Sequence, residues 1–159
     1  MITAQNGIYK LDTDNTSYIF RECESGHLQH LYYGRKIHPA IDGLMEQHAF
    51  APGNTNIYDS EHLQFSLEDA CLEMSSFGKG DIREPFVELT LSDGSETSDF
   101  LFEKFEQGTG KEEFETLPGS YDESGEVEWL GVTLRDKNSG VILELHYYCL
   151  LYTSPSPRD

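Results

Sequence analysis

The residues of this chain best suited to chemistry, or to bracing a loop, lie in one short stretch. Residues 76–85 read SFGKGDIREP, with two glycines, charges of both signs and a proline. Glycines this close together permit a tight backbone path with positive φ. Asp81 and Arg83 are therefore predicted either to brace the turn as an ion pair or to point outward together at a domain interface. Phosphate binding is not expected, because no Ser or Thr and no predicted helix follow the Gly-Lys pair.

Acid–base catalysis and metal binding have little support elsewhere in the sequence. The chain has 29 acidic residues, so neighbours such as Glu112 and Glu113, or Asp122 and Glu123, arise by chance. They lie in polar stretches without the apolar surroundings that raise the pKa of a general acid. The six histidines form no His-Glu-x-x-His motif and no Cys/His cluster. We predict no catalytic residue, no metal and no cofactor.

The charge and the cysteines exclude several classes of partner and location. The net charge is −18, whereas nucleic acids and anionic membranes are bound by clustered Lys and Arg. We predict that the chain binds neither. Three cysteines without a Cys-x-x-Cys pair are too few for a disulfide scaffold, and the N-terminus has no apolar signal segment. These features predict a cytoplasmic protein, in a reducing compartment.

The elements that position these residues are predicted to be strands. Alternating apolar and polar residues, many of them Tyr or Phe, indicate strands at 7–11, 17–21, 28–33, 86–91, 97–105, 127–132 and 141–148. In the third of these, Leu28, His30 and Tyr32 are expected on one face, with Leu31 and Tyr33 on the other. Short turns and the lack of a long helical pattern predict an all-β protein. Its architecture would be an antiparallel β-sandwich (a supersandwich) with little helix and a long irregular loop over 38–61.

Several short motifs, taken in order, resemble the start of family 36 glycoside hydrolases, the α-galactosidases also called melibiases. The stretch at 76–85 is similar to a phrase near the start of those enzymes, and GHLQHLYYG at 26–34 resembles their early strand. Further similar motifs are AFAP at 49–52, FSL at 65–67, LPGSY at 117–121 and LELHYY at 143–148. The resemblance covers residue 1 to about residue 148. It implies an N-terminal β-sandwich domain that precedes a (β/α)8 catalytic barrel.

The resemblance also implies what a parent enzyme does and what this chain lacks. Family members cleave terminal α-galactose from melibiose or raffinose-type sugars with retention, using two aspartates of the barrel and no metal. Their nucleophile lies in a Lys-Trp-Asp phrase, whereas the single tryptophan here, Trp129, is followed by Leu130. We therefore expect this chain to be a structural domain that supports a homo-oligomer and has no activity alone. The parent enzyme would bind an α-galactoside through its barrel, which this chain lacks.

Further expectations concern one residue, the chain end and the alternatives. In tetrameric relatives the N-terminal domain reaches towards a neighbour's sugar pocket, so the resemblance implies that Phe50 forms a wall of that pocket and contacts substrate. Residues 149–159 break the strand pattern and resemble translated adapter sequence, so the native, incomplete domain is predicted to span 1–148. One alternative is a non-catalytic carbohydrate-binding module, in which exposed Tyr and Trp side chains contact sugar. Another is a free-standing acidic interaction domain.

Overall fold

The computed structural model describes residues 1–38, 44, 57–111 and 125–150 of the 159-residue chain. These residues form seven strands and no α-helix: β1 Ile2–Gln5, β2 Ile8–Asp12, β3 Thr16–Glu22, β4 Leu28–Arg35, β5 Phe100–Thr109, β6 Glu128–Asp136 and β7 Ile142–Cys149. They make two antiparallel sheets, ordered β1-β2-β3-β4 and β5-β6-β7. The predicted all-β antiparallel sandwich is confirmed. In the described part of the chain, no helix has the length and apolarity needed to cross a bilayer.

The first hairpin contains a strand that the sequence did not predict. β1 pairs with β2 across Asn6 and Gly7, which both have positive φ, of 53° and 72°. Asn-Gly is a favoured pair for a two-residue hairpin turn of this kind, because both positions need positive φ. With only four residues, β1 gives too short an alternation to be recognised by pattern, although its turn was visible.

A β-bulge in β4 changes which of its side chains share a face. Tyr32 and His30 pair with consecutive residues of β3, so Leu31 is left without a partner. The extra residue places Tyr33 on the side of His30, where its ring centroid lies 5.8 Å from that of Tyr18. The prediction that His30 and Tyr32 share one face is therefore wrong, since a bulge shifts the alternation by one residue.

The second sheet contains the hairpin that the sequence predicted most clearly. β6 and β7 pair in continuous register from Glu128 opposite Cys149 to Arg135 opposite Ile142. β7 thus ends one residue beyond the predicted domain end. β5 also runs four residues further than predicted, to Thr109, because β6 offers a paired edge along that whole length.

Residues 86–91 alternate in burial as predicted but form no strand. The backbone N–H of Phe86 donates to Ser75 O at 3.0 Å, and that of Leu91 donates to Ser95 O at 2.9 Å. The second bond closes the turn that follows this segment. The predicted strand is wrong because alternation reports only that Leu89 packs against the core, whereas a strand also needs a hydrogen-bonding partner.

The core lies between the two sheets. Its buried members come from both sheets and from the connection between them: Tyr9, Leu11, Phe20, Leu28, Met74, Phe100, Leu130, Val132 and Leu134. The Tyr9 ring stacks on Phe20 at 4.9 Å and meets the edge of Phe105, from the other sheet, at 5.3 Å. Burying each large apolar side chain contributes about 1.5–3 kcal/mol, so this aromatic layer is a major contribution to sheet docking.

Candidate functional site

The glycine-rich loop, defined here as residues 76–86, is fixed at both ends. Its two glycines at 78 and 80 have φ of 87° and 85°, the conformation that their spacing predicted. Backbone hydrogen bonds of 3.0 Å run from Ser98 N to Phe77 O at one end and from Phe86 N to Ser75 O at the other. The loop therefore has a defined path although it contains no strand or helix.

Asp81 and Arg83 form the ion pair that was predicted to brace the turn. Arg83 donates from Nε to Asp81 Oδ1 at 2.8 Å and from Nη2 to Oδ2 at 3.1 Å. The same Nη2 donates to Leu67 O at 2.7 Å, so the pair ties the loop to a second segment. Burial acts to raise the pKa of Asp81, but the hydrogen bonds from Arg83 outweigh it and hold that pKa below its ordinary value.

The exposure of these two side chains differs. The Asp81 side chain is fully buried, whereas 37% of the Arg83 side chain is exposed. The bracing role is therefore visible in the contacts, and only the outer side of Arg83 is available to another domain. A role of the pair at a domain interface stays a prediction.

A buried polar cluster lies beneath the loop and is made of Ser25, His27, Tyr58, Lys79 and Asp99. Asp99 Oδ1 lies 3.0 Å from His27 Nε2, and Asp99 Oδ2 accepts from the Tyr58 hydroxyl at 2.9 Å. Lys79, from the glycine-rich loop, places Nζ 3.6 Å from Asp99 Oδ2 and 5.3 Å from the centre of the Tyr58 ring. The cluster thus joins the β3–β4 turn, the segment at Tyr58, the loop and the start of β5.

The electrostatics of the cluster keep Asp99 ionised. Burial acts to raise the pKa of Asp99, but hydrogen bonds from His27 and Tyr58 outweigh it and lower that pKa. The pKa of Tyr58 is raised by burial and by its bond to Asp99. Ser25 Oγ lies 3.0 Å from His27 Nδ1, which gives a Ser-His-Asp connectivity. Ser25 is only 8% exposed, and the three side chains connect the β3–β4 turn to the residue that precedes β5.

Another buried carboxylate, Glu73, joins the two sheets. It accepts from the hydroxyl of Tyr18 on β3 and, at 2.9 Å, from that of Tyr147 on β7. His30 Nδ1 lies 3.4 Å from its other oxygen. Burial and Glu73 raise the pKa of both tyrosines. No local sequence pattern indicates this contact, because the partners lie 55 and 74 positions from Glu73.

Large apolar side chains project from the glycine-rich loop. Phe77, Ile82 and Phe86 are 47%, 80% and 71% exposed, and we call them the apolar patch. Because the loop is braced by its ion pair and by Lys79, the patch is presented on a fixed backbone. Clustered exposed apolar residues are typical of surfaces that contact another protein or domain.

Other predicted sites lie outside the described residues or show no ligand set. Phe50, the acidic pairs at 112–113 and 122–123, the LPGSY motif and nearly all of the predicted tail fall there, as does much of the long loop. Among residues 1–38, 44, 57–111 and 125–150, no three His, Cys, Asp or Glu side chains are placed to hold a metal ion.

Two packed antiparallel sheets, with Asp81, Asp99 and Glu73 bonded between segments, define a supporting β-sandwich domain. Each of these carboxylates holds parts of the fold together, and none is exposed to a substrate. Residues 26–152 match the family of glycosyl hydrolase family 36 N-terminal domains. The chain belongs to this family.

The similar proteins are α-galactosidases several times longer than this chain. The solved α-galactosidase of Lactobacillus brevis is 31% identical with a TM-score of 0.79, covering 89% of this chain and 19% of that one. The bifunctional α-galactosidase/sucrose kinase AgaSK of Mediterraneibacter gnavus is 29% identical over 88% of this chain and 15% of its own length. α-Galactosidase AgaA of Geobacillus stearothermophilus is 28% identical over 87% and 19%. The chain spans about a fifth of such proteins or less.

Proposed function

We propose that this chain is the N-terminal supporting domain of an α-galactosidase that releases terminal α-galactosyl groups from melibiose or raffinose-type sugars with retention. The observation that carries the proposal is the alignment of almost the whole chain with α-galactosidases of which it represents only about a fifth. Catalytic groups of such an enzyme would lie in the other four fifths. The domain itself would pack on the catalytic part and support oligomer contacts.

The state of the buried carboxylates supports a non-catalytic role for the domain. A retaining glycosidase needs two carboxyl groups about 5–5.5 Å apart, one of them a general acid with a raised pKa. Asp81, Asp99 and Asp136 are buried with a lowered pKa. Each is engaged by hydrogen bonds that hold a turn or join two segments. None of these carboxyl groups therefore has the raised pKa of a general acid.

The apolar patch supports docking against the catalytic part of such an enzyme. Ile82 and Phe86 are more than two thirds exposed, and the exposed side of Arg83 lies between them in sequence. A fixed loop presenting apolar side chains around one cation fits a domain interface with an acidic or carbonyl partner. Asp81 and Arg83 would then serve the interface indirectly, by fixing the loop.

Two finer proposals concern assembly and location. Phe50 would reach the sugar pocket of a neighbouring subunit in a homo-oligomer, in keeping with the aromatic motif around it. The protein would function in the cytoplasm, in keeping with three cysteines that are all free. In the complete enzyme, Phe50→Ala should then lower kcat/KM without lowering the stability of the isolated domain.

The direct test is the genomic reading frame downstream of Tyr148, followed by expression of the complete protein. The frame should continue into a (β/α)8 barrel with a Lys-Trp-Asp phrase, and the product should hydrolyse 4-nitrophenyl α-galactoside. The 159-residue chain alone should show no turnover. A frame that continues into an unrelated domain, or hydrolysis by the 159-residue chain, would overturn the proposal.

A further inference from the structure

The single tryptophan of the chain lies flat on the outer face of the second sheet. Trp129 is on β6 and is only half-buried. A Cβ atom placed on Gly108 of β5 would lie 2.9 Å from the indole Nε1 and 3.0 Å from Cε2 and Cζ2. A Cβ on Gly131, two residues along β6, would lie 3.3 Å from Cζ3. The indole therefore covers two glycines on neighbouring strands.

These glycines are explained by the space that the indole needs and not by an unusual backbone conformation. Neither Gly108 nor Gly131 has a positive φ, so each backbone conformation is open to any residue. Glycine inside a strand costs about 0.5–1 kcal/mol relative to alanine, and strand glycines often mark a close approach by another group. Two such glycines under one ring leave room for the indole to rest on the sheet with its other face outward.

Polar and aromatic groups surround the indole. Tyr148 of β7 pairs with Trp129, and His146 pairs with Gly131, so both share the outer face with the ring. The His146 side chain is exposed, and Tyr148 is half-buried. A flat aromatic surface with a phenol and an imidazole group beside it is thus built on rigid strands.

We propose that Trp129 is the platform of a binding site for a hexopyranoside, separate from any catalytic site. The C–H face of the sugar ring would stack on the indole, and its hydroxyl groups would bond to His146 and to the Tyr148 hydroxyl on the same face of the sheet. Aromatic rings with a few placed polar groups provide this combination of apolar contact and orientation. A galactosyl group, whose axial hydroxyl leaves one ring face apolar, is the sugar of choice, and that choice alone rests on the proposed function.

Because Trp129 is the only tryptophan, the emission of the 159-residue chain reports on this site alone. Titration with methyl α-galactoside or raffinose should give a saturable change in emission, with a Kd in the millimolar range because the site is shallow. Galactitol has the same hydroxyl chemistry without a ring face and should give none. No saturable change, or an equal change with galactitol, would overturn the proposal.

Variants separate stacking from a structural role. By calorimetry, Trp129→Ala should bind the galactoside about tenfold more weakly, the loss expected for one aromatic contact. Gly131→Ala, which pushes the ring from its seat, should weaken binding while retaining the emission signal. Phe86→Ala removes an exposed aromatic residue elsewhere and is the matched control, with unchanged affinity. If Trp129→Ala fails to fold, Gly131→Ala and His146→Ala decide the question, and unchanged affinity in both would refute the site.

The outcomes also separate this site from the proposed function and from a protein contact. Galactoside binding in a chain whose reading frame does not lead into a barrel would support the platform and refute the parent enzyme. A confirmed parent enzyme without a change in Trp129 emission on adding sugar would support the proposed function and refute the platform. Emission that changes with protein concentration but not with sugar would assign the surface to contact between copies and overturn the sugar site.

Discussion

The second sheet and the connection that precedes it satisfy their buried polar groups in different ways. In the sheet, β6 is paired along both sides by backbone hydrogen bonds. In residues 57–99, which contain no strand of either sheet, side chains do this work: Arg83 bonds to Leu67 O, and Asp99 bonds to His27 and Tyr58. A ladder tolerates many side chains, whereas the connection depends on particular ionisable residues. The two regions should therefore respond differently to substitution and to pH.

The largest effect is expected for Asp99→Ala. Removing this carboxylate leaves His27 Nε2 and the Tyr58 hydroxyl without their bond to Asp99 and detaches Lys79. Breaking a buried pair of this kind costs about 3–5 kcal/mol. Urea unfolding followed by circular dichroism measures the change in the free energy of unfolding. Glu88→Ala, an exposed acid in the same connection, is the control and should change it by less than about 0.5 kcal/mol. Equal losses in the two variants would show that the cluster does not hold the connection.

A smaller effect is expected in the acid dependence of stability. The pKa of Asp81 is lowered in the folded chain, so the folded state binds fewer protons than the unfolded state near the ordinary carboxyl pKa of about 3.9. The stability from Asp81 is then present above that pH and lost as pH falls through the folded pKa. At pH 6 the Asp81→Asn variant should have a lower free energy of unfolding than the unmodified chain, and that free energy should fall less on acidification. If the urea midpoints of the variant and of the unmodified chain fell by the same amount from pH 6 to pH 3, this role of the ion pair would be contradicted.

How much of the fold and of the candidate site could be predicted from the sequence depends on the kind of contact. The β6–β7 hairpin and the Asn6–Gly7 turn follow from alternation and turn chemistry, which are local. The Asp81–Arg83 pair is also local, and its alternatives could be stated from two residues. The contact of Glu73 with Tyr18 and Tyr147 joins residues far apart in sequence, so no local pattern indicates it. The bulge at Leu31 was missed for the same reason, since register is a property of two strands.

A moderate loss in the free energy of unfolding is expected for alanine substitutions at two glycines that differ only in their neighbours. Gly78 and Gly94 have similar φ, 87° and 81°, but a Cβ on Gly78 would lie 2.7 Å from Thr97 Oγ1, whereas one on Gly94 would meet no atom within 4 Å. Gly94→Ala should cost about 1 kcal/mol for the positive φ alone, and Gly78→Ala should cost more. Thr97→Ala should recover part of that difference, as a double-mutant cycle on urea unfolding would show. Equal costs at both glycines would mean that the loop is not closely packed on Thr97.

The smallest effect on stability is expected in the apolar patch. Ile82 is 80% exposed, so Ile82→Ser should change the free energy of unfolding by less than about 0.5 kcal/mol. The same change should reduce self-association of the chain, measured by light scattering, because it removes exposed apolar area. A large loss of stability, or unchanged association, would show that the patch is part of the domain core and not a docking surface.

The strand order has a consequence for how the chain reaches this structure. Each of the seven described strands pairs only with its neighbour in sequence, so each sheet is a meander built from contacts that are local in sequence. Contacts of Glu73 with both sheets must wait until the two meanders meet. Since folding rates fall as contacting residues become more distant in sequence, we expect the packing of the two meanders against each other, which Glu73 bridges, to limit the rate of folding.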